Sequence, residues 1–177
     1  MDDKSSIVLE TIQNRKSVRN YTREPVSRDC LLALLKAGMA APSANNQQRW
    51  VFIAVTERKT MDLLAENLPY AKMLFTAGAA IVVCGNTIKP MAEGSIDLWW
   101  EDAGACTENI LLAAEAMGLG AVWTAVYPYP ERETQVRKTL HLPAGIIPFS
   151  LVPIGYPTGK DKPKEKFRAE KIHWETW

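Results

Sequence analysis

The apolar positions of this chain fall into short runs separated by longer segments with helical spacing. Two runs, WVFIAV at 50–55 and AAIVVCG at 79–85, are rich in β-branched residues and predict strands buried on both faces. GAVWTAV at 120–126 and FSLVPIG at 149–155 predict two further strands. Strands and helices intermixed in this way predict an α/β or α+β domain built on a central sheet.

The helical segments between these strands have recognisable boundaries. A first helix ends near a basic cluster that begins at residue 15, and Ser27 is a candidate N-cap for a second helix, which Pro42 stops. A third segment, 57–75, is broken near Pro69, and Pro130 opens another helix.

The longest helical candidate runs from about residue 96 to Met117 and stops at Gly118. Apolar side chains occupy most of its circumference, so protein must cover it on most sides. Its acidic residues, among them Glu101 and Asp102, argue against a membrane span. A partner subunit is one candidate for part of that cover.

Composition limits the classes of protein that this chain can belong to. With 177 residues, 47% hydrophobic content and no evident linker, we expect one domain over 1–177 with an extended C-terminal arm at 156–177. Twenty-one Lys and Arg against twenty Asp and Glu give no global field for nucleic acid. The N-terminus lacks the pattern of a secretory signal, so we expect a soluble, cytoplasmic protein that does not associate with a membrane. Three scattered cysteines and two histidines favour reduced structural thiols and no metal site.

Two basic clusters lie near opposite ends of the chain. RKSVR at 15–19 contains Arg15, Lys16, Ser17 and Arg19, and KDKPKEKFR at 160–168 carries five cations against two carboxylates. Each cluster can be a solvated surface, the first because cations are favoured where a helix ends. If the fold brings the clusters together, a phosphate between them would suit their guanidinium, ammonium and hydroxyl groups.

The segment APSANNQQRW at 41–50 places four amide side chains after a Pro-Ser pair. Between a helix and a strand such residues normally form turns. Amides also offer both donors and acceptors to a neutral heterocycle. Because the chain has no P-loop and no GxGxxG, side chains would have to hold the phosphate of any bound nucleotide.

Taken together, these stretches resemble the flavin-dependent nitroreductase family. RKSVR is similar to the family's N-terminal Arg-x-Ser-x-Arg/Lys motif, and APSANNQQRW to its Pro-Ser-x-x-Asn-x-Gln-Pro-Trp motif. GLGAVWT resembles the Gly-rich start of the strand after the long helix, and KFRAEKIHW the closing Lys-x-Arg with its hydrophobic and aromatic residues. The four motifs occur in order, and the match runs from about residue 8 to residue 174.

The resemblance implies an α+β fold with a central mixed sheet flanked by helices, an intertwined homodimer, and one FMN in each of two interface sites. It also implies a role for each matching residue. Arg15 and Ser17, within the RKSVR cluster that includes Lys16, would contact the FMN phosphate with Lys166 and Arg168. Arg19 would lie at the N1 and O2 edge of the ring and stabilise its anionic reduced form. The remaining contacts would come from Pro42, Ser43 and Asn46 of the other subunit and from Thr124 and Ala125 at the ring face, with a backbone N–H near Ala125 donating to flavin N5.

The implied activity is transfer of hydride or electrons from NAD(P)H to nitroaromatic, quinone or similar flat acceptors by a ping-pong mechanism, with no catalytic residue from the protein. Three features depart from the family. Arg49 replaces the usual proline and would add a charge near the pocket, Ala125 replaces a frequent acidic residue, and the short chain implies a more open site.

Three alternatives remain open at this point. One is a specialised family activity, such as flavin cleavage or reductive dehalogenation. Another is a flavin carrier or sensor whose ring face is blocked by Trp50, Trp123 or Tyr127. The last is a ligand-free scaffold that uses the long helix as an interface.

Overall fold

The computed structural model describes residues 3–88 and 97–177, which form helices on both sides of a five-stranded sheet. The helices are α1 (Asp3–Asn14), α2 (Arg28–Met39), α3 (Arg58–Asn67), α4 (Trp99–Ala116) and α5 (Pro130–Leu140). The strands are β1 (Trp50–Val55), β2 (Ala79–Asn86), β3 (Gly120–Ala121), β4 (Thr124–Ala125) and β5 (Ile146–Gly155). Short 3₁₀ turns cover Ala44–Asn46, Lys72–Phe75 and Ala169–Lys171.

The sheet has the order β1-β2-β5-β3, and β4 pairs with β5 beside β3. These strand pairs are antiparallel, and Val82 of β2 lies opposite Leu151 of β5. A parallel bridge joins Ser17 to Ala121 and gives the sheet its mixed character. The predicted α+β architecture around a central mixed sheet is therefore confirmed.

Two hydrophobic clusters cover the two faces of this sheet. On one face α2 and α4 pack against side chains such as Ile81 and Val83. On the other face α3, the 3₁₀ turn at Lys72–Phe75 and α5 pack against side chains such as Val82 and Leu151. The alternation of neighbouring β2 residues between the two clusters follows from the two-residue period of a strand. Every residue of β2 except Asn86 is buried, as its apolar run predicted.

Several predicted elements differ from the observed ones. β1 is not buried on both faces: only Trp50 and Val55 are buried, and Ala54 is exposed. It is also an edge strand that pairs with β2 alone in the described sheet. The run at 120–126 forms two short strands rather than one, and β5 begins earlier than predicted, at Ile146. The first residue of the predicted long helix, at about 96, lies outside the described residues.

The long helix α4 is covered largely by its own chain. α2 and the sheet bury eight of its residues, among them Trp99, Asp102 and Ile110. A partner subunit is thus not required for most of the burial that the sequence predicted. Two large side chains of this region, Trp100 and Met117, remain partly exposed.

Local chemistry explains several helix ends. Ser27 accepts a hydrogen bond from the Cys30 amide at 3.2 Å, which is the N-cap contact that the sequence predicted. Gly118 follows α4 with a φ of 70°, the left-handed conformation that ends many helices. His141 adopts a similar left-handed conformation after α5, in agreement with a capping role.

Helix α1 and the C-terminal arm expose apolar residues. No residue of α1 is buried, and Ile7 is 64% exposed. In the arm, residues 157–177 include no buried residue, and Trp174 is 79% exposed. Among residues 3–88 and 97–177, no helix combines the length and apolar character needed to cross a bilayer.

Candidate functional site

A recess of about 610 Å³ lies between the RKSVR segment and the C-terminal arm. The two basic clusters, far apart in sequence, are therefore neighbours in the fold. We call this the cationic recess; its lining residues are Arg15, Lys16, Ser17, Arg19, Lys160, Asp161, Lys162, Pro163, Lys164 and Lys166.

The arm is attached beside the RKSVR segment through backbone hydrogen bonds and one carboxylate. Asp161 Oδ2 accepts hydrogen bonds from the backbone N–H groups of Arg19, at 3.1 Å, and Asn20, at 3.2 Å, and the Asn20 amide donates to both carboxylate oxygens. Thr158 N–H also donates to the Asn20 carbonyl at 3.0 Å. Burial opposes ionisation of Asp161, but the hydrogen bonds from Asn20 and Arg19, together with the Arg19 charge, outweigh it and lower the carboxyl pKa.

Two cations of the recess are paired by carboxylates of α4. Arg15 Nε lies 2.9 Å from Glu108, and Lys16 Nζ lies 3.0 Å from Glu115. The RKSVR cluster is thus not an isolated block of positive charge. A guanidinium carries five N–H groups, so the contact to Glu108 does not exhaust the donors of Arg15.

Close backbone packing places Ser17 beside the glycine-rich start of β3. Val18 N–H donates to the Ala121 carbonyl at 3.0 Å, next to the bridge between Ser17 and Ala121. A Cβ atom on Gly120 would lie 2.5 Å from Val18 Cγ1. Gly120 is therefore needed for the close approach that brings RKSVR to this strand.

A second recess, of about 200 Å³, lies at the edge formed by β4. We call it the edge recess; its lining residues are Arg19, Tyr70, Met73, Val122, Trp123, Thr124, Ala125 and Arg132. Arg19 lines both recesses and so connects them.

The backbone N–H and C=O groups of Ala125 point away from β5, toward the edge recess. Ala125 is opposite Ser150, and Val126 N–H donates to the Phe149 carbonyl at 3.0 Å. This pattern makes Ala125 a non-hydrogen-bonded position of the antiparallel ladder, so its own N–H and C=O point away from β5. The carbonyl accepts a hydrogen bond from Arg132 Nη1 at 2.8 Å.

The predicted site residues of the 41–50 segment lie elsewhere. In the described part of the chain, Pro42, Ser43 and Asn46 line neither recess. Their loop is ordered by its own polar groups: Ser43 Oγ accepts from Gln48 N–H at 3.0 Å, and Asn46 Oδ1 accepts from the Gln48 amide at 2.9 Å. Asp102 of α4 accepts from the Ala44 N–H at 2.9 Å and holds the loop against that helix.

Arg49 does not present a free charge to either recess. Its side chain is 3% exposed, its Nη1 lies 3.1 Å from Asp97, and its Nε donates to the Asn86 carbonyl at 3.1 Å. The carboxylate of Asp97 therefore compensates the charge that Arg49 was expected to add near the pocket.

The remaining predicted residues divide between the two recesses, with one exception. Thr124 and Ala125 line the edge recess, and Lys166 lines the cationic recess. Arg168 lines neither and donates to the Phe167 carbonyl at 2.7 Å. The sequence reasoning did not identify Tyr70, Met73 or Arg132, which come from separate elements and belong to no motif.

The architecture belongs to the α+β class of proteins, and comparison with known proteins identifies the family. The model of the nitroreductase family matches residues 12–68 and 57–156. This chain belongs to the nitroreductase family.

Individual relatives support the same assignment over nearly the whole chain. A protein of Archaeoglobus fulgidus described as an NADH dehydrogenase/NAD(P)H nitroreductase is 41% identical over 96% of this chain and 98% of its own. A Parabacteroides distasonis crystal structure with the same description is 52% identical, has a TM-score of 0.90, and is matched over 96% of this chain and 98% of its own. An FMN-dependent nitroreductase from Clostridium difficile is 25% identical, with a TM-score of 0.86, over 96% of this chain and 99% of its own.

Proposed function

We propose that this protein is an FMN-dependent oxidoreductase that oxidises NAD(P)H and reduces nitroaromatics, quinones or similar flat acceptors by a ping-pong mechanism. Membership of the nitroreductase family and the FMN-dependent relative support the flavin oxidoreductase class. Bound FMN would supply the redox chemistry, taking hydride from a nicotinamide and passing electrons to the acceptor.

The observation that carries this proposal is the position of Arg19 between the two recesses. FMN combines a phosphate with a planar ring, and the site offers cations at one end and an outward backbone N–H at the other. Arg15, Lys16, Ser17 and Lys166 would hold the phosphate, because they line the cationic recess. Arg19 would lie at the N1 and O2 edge of the ring, and the Ala125 N–H would donate to N5.

The proposed active form is a homodimer with FMN at its interface. Its support is the exposed apolar face of α1 and the fully unburied arm, since soluble proteins rarely leave large apolar patches uncovered. In that dimer Pro42, Ser43 and Asn46 would reach the flavin of the other subunit, and Arg168 would approach the phosphate.

The choice between an enzyme and a flavin carrier depends on access to the ring. Of the three aromatic residues that could block the ring face, Trp123 lines the edge recess and is 37% exposed. Trp50 is buried in the core cluster, and Tyr127 packs against Trp99 with ring centroids 4.9 Å apart. Trp123 is thus the side chain whose position would decide access.

The test is a visible absorption spectrum of the purified protein, followed by NADH and NADPH added separately without oxygen. We expect flavin bands that bleach with at least one nucleotide. Bands that persist with both would indicate a carrier, and a protein that takes up no added FMN would refute the cofactor assignment.

A matched pair of arm variants tests the phosphate site. Lys166→Gln should weaken FMN binding roughly tenfold, in the range of a lost charge-assisted hydrogen bond. Lys171→Gln removes the same charge from the arm, but Lys171 does not line the cationic recess and its loss should leave affinity unchanged. Equal losses in the two variants would mean that only the overall charge of the arm matters.

A further inference from the structure

Arg132 is the third residue of α5, and its guanidinium is held by three different groups. Nη1 donates to the Ala125 carbonyl at 2.8 Å. The guanidinium carbon lies 3.8 Å from the ring centroid of Tyr129 and 5.6 Å from that of Tyr70. Contacts of this kind between an arginine and aromatic faces favour this orientation of the side chain.

The strand that Arg132 contacts has little other support. β4 has only two residues, and in the described sheet it pairs with β5 alone. Since the Ala125 carbonyl and N–H point to the same side of the strand, a group that fixes the carbonyl also fixes the direction of the N–H. A charged donor makes this bond stronger than a neutral one would.

Arg132 also adds charge to the edge recess. It lines this recess together with Arg19, so two arginine residues lie around one small volume. Fixed positive charge beside a ring that gains negative charge on reduction favours the reduced form.

We propose that Arg132 is a positioning residue for the flavin, which orients the Ala125 N–H toward the ring and favours the reduced cofactor. This inference rests on the proposed function. It adds to the family pattern a residue on α5 that acts through the backbone of β4.

Arg137, on the same helix, provides a matched control. Its guanidinium donates to the carbonyls of Leu142, Pro143 and Ile146, at distances of 3.2, 2.7 and 2.8 Å. Like Arg132, it donates hydrogen bonds to backbone carbonyls, but it lines neither recess.

The experiment compares Arg132→Gln, Arg132→Lys and Arg137→Gln with the wild-type protein by two measurements. The first is hydrogen exchange of the Val126 amide in the FMN-free protein, because its hydrogen bond to the Phe149 carbonyl reports the order of the backbone next to Ala125. The second is the reduction potential of bound FMN. We expect Arg132→Gln to accelerate the exchange several-fold and to weaken the preference for reduced FMN roughly tenfold, which lowers the potential by about 30 mV. Arg132→Lys should restore much of the potential, because it keeps the charge.

The control separates positioning from a structural role. Arg137→Gln should lower the melting temperature without changing the potential or the Val126 exchange. If Arg132→Gln changes both quantities no more than Arg137→Gln does, Arg132 is a structural residue and the inference is wrong. A wild-type protein that takes up no FMN would instead refute the proposed function and this inference with it.

Discussion

Replacing Asp161 with alanine should weaken the attachment of the arm to the RKSVR segment. The Oδ2 atom accepts from three donors at 3.1–3.2 Å: the N–H groups of Arg19 and Asn20 and the Asn20 side-chain amide. Each bond contributes about 1 kcal/mol net, and partial exposure of the carboxylate reduces the total to about 1–2 kcal/mol. Because 1.4 kcal/mol is a factor of ten, the detached state of the arm should become roughly tenfold more populated.

Hydrogen exchange measures this detached state directly. The Thr158 N–H, which donates to the Asn20 carbonyl, should exchange about tenfold faster in Asp161→Ala, while amides of β2 keep their protection. Glu165→Ala is the control, because it removes the same charge from the arm and only a local contact of Glu165 to the Phe167 N–H. If both variants exchange alike at Thr158, the carboxylate of Asp161 does not anchor the arm.

Acid should reproduce the effect of the substitution in the wild-type protein. The pKa of Asp161 in the folded protein is below its ordinary value of 3.8. The anchor is therefore fully formed above that value and is lost as the pH falls through the lower folded pKa. Below pH 3.8, exchange of the Thr158 N–H in the wild-type protein should therefore approach the rate measured in Asp161→Ala at the same pH. A difference between the two rates that stays constant as the pH falls would contradict this assignment.

Two further predictions concern the core. Burial raises the pKa of both Cys84 and Cys106 to about 12, so a thiol reagent should label only Cys30 in the native protein, as mass spectrometry can check. A Cβ on Gly85 would overlap the ring of Trp99, so Gly85→Ala should lower the free energy of unfolding by roughly 1–3 kcal/mol, as chemical denaturation can measure. An unchanged denaturation midpoint would refute that packing.

The sequence predicted the elements with strong local signals. β1 was correct at both ends, and the Ser27 cap and the glycine after α4 fixed two helix ends. The break between β3 and β4 was not predictable, because an apolar run has the same pattern whether or not its middle residues pair with a neighbour. The burial of β1 was overestimated for a related reason: the pattern does not show which strand forms an edge of the sheet.

The same limit applies to the site. Motifs identified Arg15, Ser17 and Lys166, and the fold brings them together in one recess. No motif identified Arg132, because its contact to the Ala125 carbonyl depends on how α5 packs after the turn that follows β4. Contacts that side chains make to backbone groups leave little trace in a single sequence.

The charge pattern explains how a nearly neutral chain can keep a strongly cationic recess. Glu108 and Glu115 pair with Arg15 and Lys16, while Asp161 binds the backbone beside Arg19. These carboxylates reduce the repulsion between the two clusters without equalling their number of cations, so an anion in the recess would still be attracted. If carboxylates paired with every cation of the two clusters, the recess would not attract a phosphate. If none did, repulsion between the clusters would keep the arm away from the RKSVR segment. Partial pairing therefore lets the arm lie beside the RKSVR segment while the recess keeps an excess of positive charge.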